Sequence, residues 1–385
     1  MTMRRKRWGG RALVGAGAVL LLVLLGGLAA WARPAADTSV AAEEAAVPAA
    51  AGSQSLGFSS ARQMVKTGPD SLALVWTDGG GTEVVVGERR FGSSSFSSRT
   101  TVATGARVAA PAIAGSGATL AVAWIEGRTV YARVRLNGAW LPEQRVGEGG
   151  APALAAAKGY LGLVWHSAGG DAISFSRRSL TARAGAWSPP VTLVEGGGDT
   201  VSFASLAATG SRFVAVWKRG DRGRWAVELR RSNDQGKRWT AARAVADGAD
   251  PAVCLRSPKE LWIGHQTTGG RVVVEHSTDG GRTFTRRELG DGWFAHVSCT
   301  AGGVAVAWEQ TPYPPKHPDE SVKSFGLAFV SPDGAVRTLP SPADGYVASP
   351  TVLADGNRGA VAWIDTSGGP GGLAGSLEIG DVDLG

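Results

Sequence analysis

An apolar, alternating run that ends in tryptophan recurs along this chain. It reads LALVW to Trp76, LAVAW to Trp124, LGLVW to Trp165, FVAVW to Trp217, VAVAW to Trp308 and GAVAW to Trp363. Between Trp217 and Trp308 the phrase becomes LWIGH, which puts His265 at the equivalent place. The successive spacings are 48, 41, 52, 48, 43 and 55 residues. Alternation is the period of a strand, and a repeat in the forties holding several strands is the pattern of a β-propeller.

Each unit divides into the same four pieces. A strand of small residues (APAIAG, APALAAA, ASLAAT) precedes the Trp strand, as suits the crowded position nearest a propeller axis. A third strand follows (EVVVGERR, WAVELRR), then a fourth after an aromatic residue (WLPEQRV, WTAARAV). With 56 glycines and only 19% charged residues, the composition fits many short strands joined by tight turns. The expected fold is therefore all-β, a propeller of four-stranded blades over residues 59–385, seven blades by this count and six as the alternative. The last unit lacks an obvious fourth strand, and a segment near 52–58 is the candidate to supply it and close the ring.

Between the third and fourth strands lies a second recurrence. RRSNDQGKRW carries Ser232, Asp234, Gly236 and Trp239, and EHSTDGGRTF carries Ser277, Asp279, Gly281 and Phe284. Serine, aspartate and glycine at this spacing build a hairpin turn: the carboxylate accepts from backbone N–H groups and glycine permits positive φ. The aromatic then packs back between sheets. Eroded versions stand at the same place in other units (RLNGAW, SPDGAV), and such drift is what a structural fastener tolerates.

Two Ser-x-Asp-x-Gly-x-x-(Trp/Phe) motifs on a repeating four-stranded period resemble the Asp boxes of the sialidase-like propeller superfamily. The resemblance implies that these turns lie on the face opposite a catalytic pocket. It also implies three arginines for a sugar carboxylate, a Tyr–Glu nucleophile pair and an acid/base Asp. The chain departs from that set. Arg62 stands in SARQMV with no proline after it, and tyrosine occurs only at 131, 160, 313 and 346. Tyr131 and Tyr160 fall in strands or their turns, and neither Tyr313 nor Tyr346 has a recognisable Glu partner. The catalytic set is not carried over.

The ends and the charge bear on location. Residues 1–11 are basic, 12–31 form an uncharged apolar run, and 32–58 are rich in Ala and Pro. This reads as a cytoplasmic n-region, a signal anchor touching the membrane through residues 12–31, and a flexible linker before an extracytoplasmic domain. The alternative is secretion after cleavage near Ala32. Six of the basic residues lie in 1–33 with no acid among them, which leaves +1 of the net +7 for the remainder. No nucleic-acid partner is expected. Cys254 and Cys299 fall on the first strands of units five and six, and export permits a disulfide between them, with two buried thiols as the alternative.

No cofactor and no metal are expected: the five histidines (166, 265, 276, 296, 317) show no ligand spacing and no phosphate-cradle context follows the Gly runs. The sequence supports a non-catalytic module that binds a glycan or an extracytoplasmic protein, with a divergent sialidase-like hydrolase as the alternative. The loops after the Trp strands share the face opposite the Ser-x-Asp turns. Asp78, Glu126, Glu309 and Asp365 follow Trp strands of units that would be consecutive in a seven-membered ring, an arc of carboxylates on one side of the mouth. His166, Lys218 and Arg219 fall on the other, and Tyr313 sits in the longest loop, 309–324. Ordinary turn chemistry is the competing explanation for Asp78-Gly79 and Glu126-Gly127.

Overall fold

The computed structural model describes residues 53–116, 118–180, 185–221, 224–310, 324–343, 347–367 and 375–385. The expected n-region, apolar run and most of the linker lie outside the described residues, as do Tyr313 and Tyr346.

Among the described residues seven antiparallel sheets follow one another. Blade one comprises Met64–Gly68, Ser71–Asp78, Glu83–Arg90 and Ser98–Thr104, and blade four comprises Thr200–Thr209, Arg212–Asp221, Arg224–Ser232 and Arg243–Asp247. The first strand of each blade packs against the first strand of the next, and Val347–Asp355 of blade seven packs against Met64–Gly68 of blade one. The ring is closed, and apolar clusters fill the spaces between adjacent blades. Closure leaves each innermost strand without a partner toward the axis, yet its N–H groups find acceptors next door. Val253 donates to Ser205 Oγ (3.1 Å), Val352 to His296 Nδ1 (3.3 Å) and Ala354 to Ser298 Oγ (2.9 Å).

Each Trp of the repeat occupies one position in a second strand. In blades two to seven this residue, His265 in blade five and Trp in the others, stands alone opposite two residues of the first strand, which is the geometry of a β-bulge. Thus Trp124 faces the step between Ala109 and Ala112, and Trp217 the step between Ser202 and Ser205. The first of the two bulged residues is left-handed every time: Ala110, Ala151, Phe203, Asp250, Phe294 and Ser349 have φ between 44° and 54°. A non-glycine residue there costs about 1–2 kcal/mol, so six repetitions mark a requirement of the blade, not a local accident.

The indole points back at the preceding blade. Trp165 donates to Glu148 O (3.1 Å) and Trp308 to Asp291 O (3.1 Å). A Cβ on Gly149 or Gly292 would lie 2.9 or 2.5 Å from these rings, so the chain entering a blade must pass as glycine. His265 does the same against Gly248, where a Cβ would meet Nδ1 at 2.4 Å. It is fully buried, 3.4 Å from Glu275, which Arg286 also binds at 2.7 Å. A polar triad there replaces an indole.

The seventh blade has three strands among the described residues: Val347–Asp355, Arg358–Asp365 and Ser376–Asp383. The segment near 52–58 does not complete it. Ser55 pairs instead with Thr77 of blade one, while the Gln54 amide donates to Gly375 O (2.9 Å) and its side chain receives Leu377 N (2.8 Å). The segment therefore staples blade seven to blade one at their mouth ends, because the chain must next travel inward to the axis. Lower down, Arg89 meets Asp381 (2.5 Å) and Lys66 meets Asp355 (2.6 Å) across the same seam.

Candidate functional site

First strands begin, and second strands end, on one face of the ring; the Ser-x-Asp turns lie on the other. In the turn of blade four, Ser232 Oγ accepts from Gly236 N (2.8 Å) and Asp234 accepts from Ser232 Oγ (2.9 Å) and Arg238 N (2.9 Å). Blade five repeats this with Ser277, Gly281 and Asp279, whose carboxylate also takes Arg282 N, Thr283 N and Thr283 Oγ1. Those backbone and hydroxyl donors hold Asp279 far below the ordinary carboxylate range. Trp239 closes its turn edge-on to Phe175 of blade three (5.0 Å), and Phe284 lies against the apolar cluster of blades four and five. The serine hydroxyls and aspartate carboxylates spend these bonds inside their own turns.

The opposite face has a different construction. In blades three to six the residue after the repeat's Trp, or after His265, points toward the following blade and meets its left-handed residue. Gln266 Oε1 accepts from Phe294 N (2.8 Å), Glu309 Oε1 accepts from Ser349 N (3.0 Å), and Lys218 lies 3.4 Å from Asp250. Gln266 also donates to Asp250 (2.8 Å). Lys218 and Asp250 are both nearly buried, with the ammonium 4.6 Å from the Phe203 ring centroid and 4.8 Å from that of Trp225. His166 occupies the same position in blade three, buried, with its ring 6.4 Å from Phe203. These side chains lock blade to blade around the mouth.

Asp78, Glu126 and Asp365 fall one residue later, on the other side of the strand; Asp78 and Asp365 cap their own turns, and Glu126 holds the connection that enters blade two. Asp78 accepts from Gln54 Nε2 (3.0 Å), Gly79 N (2.8 Å) and Trp76 Nε1 (3.3 Å). Burial acts to raise its pKa, but these bonds outweigh it and hold the carboxyl below the ordinary value. Glu126 receives Ala106 N (3.2 Å), and Asp365 receives Ser367 N (2.8 Å); the Ser367 hydroxyl and then its amide lower the Asp365 pKa. Glu309 is buried and turned to blade seven, so the four acids do not share one orientation. Arg219 is held by Asp199 (3.1 Å), Gly196 O (2.6 Å) and Glu228 (3.6 Å). Tyr313 lies outside the described residues. Of the remaining tyrosines, Tyr131 stacks on Trp124 (5.9 Å) and Tyr160 lies beneath Arg177 (5.4 Å), both within blades.

The centre of the mouth is occupied by the chain itself. From the seam at Gln54 the backbone passes Pro111 of blade two, where a Cβ on Gly57 would meet the carbonyl at 2.3 Å. Phe58 then reaches Phe203 of blade four, edge to face at 5.3 Å. A turn closed by Ala61 N on Phe58 O (2.9 Å) and by Gln63 Nε2 on the same carbonyl (2.8 Å) returns the chain to blade one. Beneath it, Ser59, Ser60, Ala61 and Arg62 face Ser205, Ala252 and His296 across a cavity of about 10 Å³, on the order of one water. Burial lowers the Arg62 pKa, and burial with the nearby Arg62 charge lowers His296 to about 3. Sequence reasoning weighed Arg62 and missed Phe58, Phe203, Asp250 and His296. Phe58 was hidden in what reads as linker.

Cys254 and Cys299 are joined, linking the first strands of blades five and six.

No family model matches the chain and no curated protein matches it. Solved structures do. Trypanosoma rangeli sialidase in complex with the inhibitor DANA aligns at 14% identity and a TM-score of 0.49 over 86% of this chain and 55% of that one. The phage phi92 endosialidase aligns at 9% identity and a TM-score of 0.52 over 87% of this chain and 69% of that one. A structure from a study of two prolyl endopeptidases aligns at 11% and 0.52 over 86% of this chain and 47% of that one. The chain thus spans about half the length of the T. rangeli enzyme. The likeness is one of propeller fold alone, a ring shared by proteins of different chemistry.

Proposed function

We propose that this chain is an exported, membrane-tethered propeller that binds a glycan or a protein through the loops of its mouth face, without catalysis. The observation that carries the reading is the path of residues 54–62. A propeller hydrolase needs an open axial pocket in which to enclose its substrate. Here that place holds the chain's own turn, with Phe58 on Phe203 and a space on the order of one water beneath. The polar residues on the mouth, Lys218, Asp250, Gln266 and Glu309, bind neighbouring blades. That leaves the outer loops to meet a partner.

A hydrolase of sialidase type is the second reading. Arg62 favours it, since it enters the first strand of blade one beside the axis and no carboxylate pairs with it among the described residues. Two measurements separate the readings. The purified full chain is incubated with a fluorogenic sialoside and, separately, applied to an immobilised glycan array. Glycan retention without turnover supports binding. Turnover abolished by Arg62→Ala or Tyr313→Phe overturns it.

A further inference from the structure

The Ser-x-Asp face carries a feature that the turns themselves do not use. Arg212 and Arg231 lie at adjacent strand ends of blade four, Arg243 on its fourth strand and Arg282 in the turn of blade five. Among the described residues none of the four forms an ion pair. Backbone carbonyls hold three of them: Arg212 on Pro258 O, Arg231 on Gly280 O, and Arg243 on Arg282 O (2.7 Å). Arg212 is further fixed by Asn233 Oδ1 (2.8 Å). The point that a Cβ on Gly280 would occupy is 2.8 Å from Arg212 Nη1 and 3.7 Å from Arg231 Nη1, so two guanidiniums from one blade converge on the turn of the next.

Like charges at this range repel, and the effect is visible on both groups. Burial lowers the Arg212 pKa first, then Arg231 and Arg282; burial lowers Arg231, then Arg243 and Arg282. Asp279 acts on Arg231 in the opposite direction, but its oxygens are committed to Ser277, Arg282 and Thr283. A cluster of cations stays close only where the fold pins it, and its repulsion is relieved by an anion.

We propose that the junction of blades four and five on this face is a phosphate-binding site, built by Arg212, Arg231, Arg243 and Arg282. Guanidiniums present planar forks of N–H donors that match tetrahedral oxyanions, and pinning them beforehand removes much of the entropy lost on binding. Three are half-buried and Arg282 is exposed, so the site opens outward and takes a phosphate carried on a larger body or in solution. The small net charge of the chain beyond residue 33 conceals this site, because total charge says nothing of where arginines gather. The assignment is independent of what the mouth binds and stands or falls separately.

The test titrates the full chain with sodium pyrophosphate by calorimetry, and measures flotation with phosphatidylcholine vesicles with and without phosphatidylglycerol. Saturable, salt-sensitive pyrophosphate binding is expected, weakened about tenfold for each guanidinium removed in Arg212→Gln and Arg231→Gln. Flotation that depends on phosphatidylglycerol and is lost in the same variants identifies a lipid headgroup as the source; pyrophosphate binding alone identifies a soluble phosphate. No pyrophosphate binding by the unaltered chain overturns the proposal. So does undiminished binding by a double variant with an unchanged unfolding transition. If the double variant does not fold, Arg282→Gln, whose side chain is exposed, is read in the same titration with the same expectation.

Discussion

Phe58 and Phe203 meet edge to face with ring centroids 5.3 Å apart, one ahead of the first blade and the other opening the fourth. The contact spans the ring, so the lead-in does more than deliver the chain to its first strand. It ties the seam between blades seven and one to the far side of the mouth. Replacing Phe58 by Ala removes the ring contact and part of its burial, for an expected loss of about 1–3 kcal/mol in urea unfolding. Hydrogen exchange is the sharper measurement. The amides of Ser55 and Ala61 are expected to exchange faster while second-strand amides keep their protection.

Acid titrates the same region. His296 is buried beside Arg62, and its native pKa of about 3 lies below the ordinary 6.5. Between those values the unfolded chain binds a proton that the native chain does not. Stability from this group is therefore complete above about pH 6.5 and is lost as pH falls toward 3, by up to about 1.4 kcal/mol per pH unit. His296→Gln keeps an acceptor for Val352 N without the titration. Its stability at neutral pH is expected to be lower than that of the parent, and its slope between pH 6.5 and 4.5 shallower. Equal slopes would place the acid sensitivity elsewhere.

The repeat was legible because its chemistry is repeated. A Trp is needed wherever a second strand must fill the space to the preceding blade, and Ser-x-Asp wherever a turn must be closed by its own side chains. The bulges were not legible, since Ala110, Phe203, Asp250 and Ser349 share no side-chain chemistry; what they share is a backbone state. A signal was nonetheless present. Pro111, Pro152, Pro251 and Pro350 each follow a left-handed residue, and proline inside a strand belongs at an edge or a bulge. The four acids of the expected arc point in different directions for a related reason. Asp78, Glu126 and Asp365 stand two residues after Trp and Glu309 one, and a one-residue offset in a strand reverses the face. Residues 53–58 read as linker because they contain few large apolar groups, yet Leu56 and Phe58 suffice to seat them.

The disulfide between Cys254 and Cys299 closes a span of 45 residues between neighbouring first strands. Restricting the unfolded chain over that span is worth about 4 kcal/mol in the loop-entropy description, and typical values are about 2–4. Reduction, or the Cys254→Ala and Cys299→Ala pair, is expected to lower the unfolding temperature by several degrees without altering the far-ultraviolet circular dichroism. No shift on reduction, with free thiols counted in the untreated protein, would show that the bond is not made.

Lys218 and Asp250 form a nearly buried pair, 3.4 Å apart, at the junction of blades four and five on the mouth face. Two aromatic rings flank the ammonium, and Gln266 supplies the carboxylate with a further donor. Lys218→Met retains the length of the side chain but leaves Asp250 charged and out of water, which costs about 3–5 kcal/mol for a buried pair broken on one side. Asp250→Asn keeps a residue type that tolerates the left-handed backbone at φ 50°. It leaves the ammonium over the two rings, so the loss is expected to be smaller. The double variant removes both charges and restores part of the stability lost in Lys218→Met alone. A double-mutant cycle in urea is therefore expected to give a coupling of about 1–3 kcal/mol. Additive losses would mean that the pair makes no net contribution, and that Phe203 and Trp225 hold Lys218 through packing alone.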